Sequence, residues 1–84
     1  MRLFVSGHSA ATERILTTLQ SVLETSRYQP YTLQMVDVSK HPEQAEIDQV
    51  AATPTLVRVT PLPVRRLVGE LDNPHAILSL LKDS

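Results

Sequence analysis

Two hydrophobic rhythms run along this chain. Leu3-Phe4-Val5 is a short apolar run that stops at Ser6-Gly7; too short for a helix and bounded by a glycine, it predicts a buried strand. From Ser9 to about Thr25 the rhythm lengthens. Ile15, Leu16, Leu19, Val22 and Leu23 recur at spacings of three and four, which puts them on one helical face. Ser9 is the expected N-cap, and Glu13 lies where a helix start favours an acid. Pro30 disfavours helix at Gln29, so residues 27–30 are read as a loop. Residues 31–38 predict a second strand, with Leu33 and Met35, joined by Tyr31, on one side and Thr32, Gln34 and Val36 on the other.

Pro42 suits the first position of a second helix, with His41 or a neighbour as cap. This helix is expected to end near Val50. Its apolar anchors are Ala45, Ile47 and Val50, so it should be the least stable helix. Glu43, Glu46 and Asp48 make its start acidic, read as helix-start charge that also forms a distinctive acidic face. After Ala52-Thr53-Pro54 the period returns to two. Residues 55–59 and 64–68 predict strands joined by a turn that Pro61 and Pro63 stiffen, close enough to pair as an antiparallel hairpin. Asn73 and Pro74 then mark a third helix start, with Ile77, Leu80 and Leu81 on one face.

The order is therefore βαβαββα. The leading βαβ unit calls for a right-handed crossover and a parallel strand pair, and the hairpin adds antiparallel neighbours. The expected fold class is α/β: a four-stranded mixed sheet with helices on both faces. It resembles the thioredoxin-like arrangement, in which a cis-proline precedes the third strand. Pro54 stands in that place, and the sequence leaves its isomer open.

Composition narrows the function. Eighty-four residues are read as one domain spanning residues 1–84, and a chain this short buries only roughly 60% of its unfolded surface. The net charge of −1 and an aromatic set of Phe4, Tyr28 and Tyr31 point away from nucleic acid and from an acidic membrane. There is no cysteine, which removes disulfides, thiolate metal sites and thiol redox chemistry and fits a cytoplasmic protein. No apolar run approaches 18 residues, and no signal-like segment opens the chain.

Catalysis finds little support. A thioredoxin enzyme carries two cysteines between its first strand and helix; here that slot is Gly7-His8-Ser9-Ala10, and dithiol exchange is impossible. His8 and Ser9 are adjacent with no orienting acid in view, so a capped helix start is the default. His8, His41 and His75 lack metal-ligand spacing, and two glycines build no phosphate-cradling loop. No cofactor or metal is expected. Arg58, Arg65 and Arg66 gather on the hairpin, with Arg14 elsewhere on the surface. They read equally as solvated charge that discourages strand addition and as a docking patch for acidic partners. Pro54, Pro61 and Pro63 read either as turn stiffening or as a source of slow conformational exchange.

The runs Val36-Asp37-Val38, Pro42-Glu43-Gln44-Ala45-Glu46, Ala52-Thr53-Pro54-Thr55-Leu56 and Leu62-Pro63-Val64-Arg65-Arg66-Leu67-Val68-Gly69-Glu70-Leu71 closely resemble the cyanobacterial circadian clock family KaiB. Leu3-Phe4-Val5-Ser6-Gly7 resembles the family's first strand and turn, and the likeness covers about residues 2–81. The related sensor domain of the clock kinase SasA shares the Ala-Thr-Pro block but matches Pro-Val-Arg-Arg less well. The resemblance implies a non-enzymatic regulator that binds the KaiC ATPase ring in a thioredoxin-like fold and recruits or competes with KaiA and SasA-type partners. It also implies a second, tetrameric fold in which the latter half is rearranged, and this favours conformational exchange as the meaning of Pro54, Pro61 and Pro63.

By the same resemblance, Arg14 and Arg66 fall at basic partner-contact positions, and Thr32, Gln34 and Ser39 fall in the KaiC-facing region; Arg65, next to Arg66 on the hairpin, and Gln49 complete the expected partner-binding set. Gln34 and Gln49 stand where clock members carry lysine. Leu62 interrupts a longer proline run, and the acidic C-terminal extension often seen in the family is missing, a pattern that fits a diverged paralogue. The alternative function is a thioredoxin-fold adaptor for another sensor-kinase or stress-signalling partner. Residues 73–82 combine a cap, a first-turn proline and good helix formers. The thioredoxin-like state is therefore expected to dominate as a monomer, with a tetramer possible in the other fold.

Overall fold

The computed structural model describes residues 1–7, 9–25, 32–59, 62–69 and 71–82. Its elements follow the order β1 (Arg2–Val5), α1 (Ala10–Thr25), β2 (Gln34–Asp37), α2 (Pro42–Ile47), β3 (Thr55–Arg58), β4 (Arg65–Val68) and α3 (Pro74–Leu81). The strands form one four-stranded sheet in the order β2-β1-β3-β4. β1 pairs parallel to β2 and antiparallel to β3, and β3 pairs antiparallel to β4. This is the mixed α/β sheet of the thioredoxin-like arrangement.

Alternation along β1 builds two cores. Leu3 and Val5 point to one face, where they meet Leu56, α1 through Leu19, Val22 and Leu23, and α3 through Ile77, Leu80 and Leu81. Phe4 points to the other face and packs with Val36 and Val57, under Ala45 of α2 and Val50. Helices thus cover both faces. Leu71, just before α3, joins the larger cluster and is fully buried.

The helix starts follow local chemistry. Ser9 Oγ accepts from the Thr12 amide at 3.2 Å, an N-cap bond to the third helical residue. Asn73 Oδ1 accepts from the His75 amide at 3.0 Å, with Pro74 opening α3. α2 starts at Pro42 with His41 at its cap position, but the His41 side chain makes no cap bond. Instead the His41 and Lys40 amides donate to the Asp37 carbonyl at 2.9 and 3.1 Å. The Thr53-Pro54 bond is cis, as is Leu62-Pro63.

Several expectations need correction. β2 is four residues long, half the predicted span. The predicted sidedness survives, with Val36 buried in the smaller core, but Met35 remains 44% exposed because β2 is a sheet edge. α2 ends at Ile47 rather than Val50, and Ile47 is 72% exposed. The reason is rotational: Ala45 faces the sheet, and a residue two positions on lies about 200° round the helix. Gln49, in left-handed geometry at φ 56°, then turns the chain so that Val50 returns to the core. Arg58 was expected among the exposed hairpin charges; it is 1% exposed. It sits on the α3 face of β3, beneath the end of that helix. His8, Tyr31, Pro61 and the predicted loop 27–30 lie outside the described residues.

Candidate partner-binding surface

Strand register brings part of the predicted surface together. Arg2 aligns with Gln34 on one side and with Val57 on the other, and Val57 aligns with Arg66. Directly paired residues share a sheet face, so Gln34, Arg2, Val57 and Arg66 form one row across all the strands. This row lies on the α2 side. The end of α2 closes over it: Arg2 Nη1 donates to Asp48 Oδ2 at 2.8 Å, Arg66 Nη1 donates to the Gln49 carbonyl at 2.6 Å, and Arg66 Nη2 donates to the Asp48 carbonyl. Two cations therefore converge on the carbonyl end of a six-residue helix, where the peptide dipoles favour positive charge. The shallow groove between them is lined by Ile47, Val57, Val59 and Val64. Gln34, Gln49, Arg66, Ile47 and Val64 are all exposed.

The other candidates stand apart from this row. Thr32 and Ser39 flank β2 and are exposed; the Met1 amino group donates to the Thr32 carbonyl at 2.7 Å. Arg65 is aligned with Arg58 and so faces α3, where Ala76, Ser79 and Leu80 line the adjoining groove. Arg14 is exposed on α1 beside Pro54, Gly69, Leu71 and Asp72. The structure thus joins Gln34, Gln49 and Arg66 on one face and separates Arg14 and Arg65 from them. Among the described residues no three of His, Cys, Asp and Glu converge as a metal site would require. No helix among them is long and apolar enough to cross a membrane.

A KaiB domain model matches residues 2–82. The curated relatives include the circadian clock oscillator protein KaiB of Synechococcus elongatus, 42% identical over 78 residues, which are 93% of this chain and 76% of that protein. The namesake of Thermosynechococcus vestitus is also 42% identical, over 93% of this chain and 72% of its own. That of Prochlorococcus marinus is 41% identical, over 93% and 67%. The chain belongs to the KaiB family. As a KaiB-family protein it is a clock-type regulator and not an enzyme.

Sequence reasoning missed two parts of this candidate surface. Arg2 was read only as the start of a strand, and Asp48 only as helix-start charge, because neither strand register nor the place where α2 ends is visible in a linear pattern. It also missed the hub that ties the two loops at the top of β1 and β2. Asp37 Oδ1 accepts from Ser39 Oγ at 2.6 Å, the Ser39 amide at 3.0 Å and the Gly7 amide at 3.1 Å. Gly7 takes φ 75° to present that amide, a conformation glycine adopts without steric cost.

The Ser39 hydroxyl first, then the Gly7 and Ser39 amides, hold the Asp37 carboxyl below its usual value, since all three bonds favour the charged form. A folded-state pKa below the unfolded one stabilises the fold above the unfolded value, about 4 for an aspartate, and that contribution is lost as pH falls through the folded value. Urea midpoints are therefore expected to drop below about pH 4, and the drop should be shallower in Asp37→Asn. An Asp37→Asn protein whose acid profile matched the parent's would remove Asp37 from the account.

Proposed function

We propose that this KaiB-family chain works as a binding module for a KaiC-type ATPase ring, in the thioredoxin-like arrangement described above. At that ring it recruits, or competes with, KaiA and SasA-type partners. The observation that carries this reading is the cross-sheet row. Gln34 and Arg66 are exposed at opposite edges of the sheet side that α2 covers, and Gln49 is exposed beside Arg66 at the end of α2; the resemblance puts Gln34 and Arg66 at partner-facing positions and Gln49 where a lysine is expected. In this reading the protein acts in the cytoplasm as one domain over residues 1–84. It is a monomer in this fold, with exchange to a tetrameric second fold centred on Pro54, Pro61 and Pro63. The Asn73 cap and the buried face of α3 support predominance of the thioredoxin-like state.

Binding to purified KaiC-type rings tests the proposal, with sizing chromatography on the free protein. Arg66→Glu is expected to weaken binding at least about tenfold, roughly 1.4 kcal/mol. It should cost folding stability no more than about 2 kcal/mol, because it removes an exposed cation's bonds to the Asp48 and Gln49 carbonyls at the end of α2 and places a negative charge at a helix C-terminus. Unaltered binding by Arg66→Glu would remove this face from the interface. A tetramer in the free state would overturn the monomer assignment. Gln34 and Gln49, neutral where the family's clock members carry lysine, favour one second reading: an adaptor for a different sensor-kinase or stress-signalling partner. Failure to bind any KaiC-type ring would select it.

A further inference from the structure

β4 is an edge strand with an open side. Antiparallel pairs alternate between those that exchange backbone hydrogen bonds and those that do not. The Gly69 amide donates to the Pro54 carbonyl at 3.0 Å, and the next pair along the ladder is Thr55 with Val68. That bond makes Leu56–Leu67 and Arg58–Arg65 the hydrogen-bonded pairs, and leaves Thr55–Val68 and Val57–Arg66 as the others. The N–H and C=O groups of Arg66 and Val68 therefore point away from β3. Among the described residues no strand and no backbone hydrogen bond occupies that side. Side chains alternate along the same edge. Arg66 and Val68 lie on the α2 side, both exposed, with Val64 exposed before them. Leu67 lies on the α3 side, beside a groove whose far wall is Ala76, Ser79 and Leu80. The Nη groups of Arg66 donate to neutral carbonyls at the end of α2, not to a carboxylate, so its positive charge stays available at the edge.

We infer that the β4 edge takes up an extended segment of another protein as an added strand, and that this segment alternates carboxylate with small apolar side chains. Strand addition draws its affinity from main-chain hydrogen bonds and its specificity from the places that alternate side chains find. Both faces of the incoming strand are specified here. On the α2 side its carboxylates lie opposite Arg66, a cross-strand pair of opposite charge. On the α3 side its small apolar residues enter the groove between Leu67 and Ala76. A basic segment is repelled by the same arginine. A second copy of this chain is disfavoured too. It would bring Arg65 and Arg66 of both chains to one short edge, and like charges opposite one another destabilise a strand pair. The arginines thus block self-pairing, the hazard of any open edge, while admitting an acidic strand. This inference does not rest on a KaiC-type ring as partner: Arg66 belongs to both surfaces, but the edge uses backbone groups that the cross-sheet row does not.

The probe is a capped peptide of alternating glutamate and valine, about six residues long, a common strand length. It is titrated into the isotope-labelled full chain and followed by two-dimensional NMR. Saturation is expected to slow solvent exchange of the Arg66 and Val68 amides at least about tenfold, while the amides of β2, the other sheet edge, change less than about threefold. The lysine-valine counterpart should bind at least about tenfold more weakly. Methylating the backbone nitrogens of the probe removes its donors and should weaken it by about as much. Val68→Pro takes away one outward N–H without touching the β3 ladder, a change that edge strands tolerate. It should weaken the peptide at least about fivefold with an unchanged circular dichroism spectrum, and the methylated peptide puts the same question to the unaltered protein. Equal binding of the two charge types, protection that falls on β2 or on no amide, or full binding of the methylated peptide overturns the proposal. So does concentration-dependent protection of Arg66 and Val68 in the protein alone, which would make a second copy the occupant. No KaiC-type ring enters this experiment, so its outcome is separate from that of the ring-binding test.

Discussion

Phe4→Ala is expected to reduce the free energy of unfolding by about 3–5 kcal/mol, the usual cost of truncating a buried aromatic. Phe4 is fully buried at the centre of the sheet's α2 face. Its buried companions there are Val36 and Val57, with Val38, Ala45, Val50 and Val59 packed around them. All are small, so none can reach across the space a lost ring leaves. The overlying helix has no fully buried residue of its own and would have little reason to stay. For 84 residues a total stability of about 4–13 kcal/mol is typical, so this loss takes a large share of it. Urea denaturation followed by circular dichroism measures it. A loss below about 1 kcal/mol, the range of an ordinary surface change, would mean that the α2 face is not a true core.

Ile77→Ala is expected to cost about 2–5 kcal/mol and to act through the opposite face. Ile77 is fully buried in the same cluster as Leu3, Leu19, Leu23, Leu56 and Leu71. α3 packs against both α1 and β4, and Ile77 is its most deeply buried residue. α3 spans eight residues, too short to hold helical form in water without packing. Loss of the isoleucine should therefore expose the helix as well as weaken the whole. Limited proteolysis is expected to cut within residues 74–82 in Ile77→Ala before cutting α1, alongside a lowered urea midpoint. A midpoint shift with α3 still the last segment to be cut would place the weak point elsewhere.

The two truncations probe a division already present in Leu3-Phe4-Val5. Adjacent residues of a strand point to opposite faces, so three apolar positions in a row require cover on both sides. The mixed sheet with helices above and below follows from that run, from the three-and-four spacing of α1, and from the caps at Ser9 and Asn73. These signals are local, and the structure reproduces them. α2 was read less well. Its apolar residues are too few to define a face, and Ile47 was assigned inward although it lies about 200° from Ala45. The partner surface was legible only in part. The resemblance named Gln34, Gln49 and Arg66 singly, and register joined them while sending Arg65 to the other side and leaving Arg14 in a separate groove.

By itself the sequence determined which segments are strands and helices, where the three helices begin, and that thiol chemistry is absent. Each of these depends on side-chain direction, capping groups or residue type within a few positions. Only the tertiary structure decided the fate of the arginines. Arg58 and Arg66 occupy the same hairpin and look alike in the chain, yet they face opposite sides of the sheet. Arg66 reaches carbonyls 17 and 18 residues earlier and stays exposed. Arg58 reaches carbonyls 22 to 24 residues later and is buried. The physical reason is that the ends of α2 and α3 leave carbonyls without partners, and which cation meets them depends on where each helix stops relative to the sheet. No periodicity within the hairpin encodes that distance.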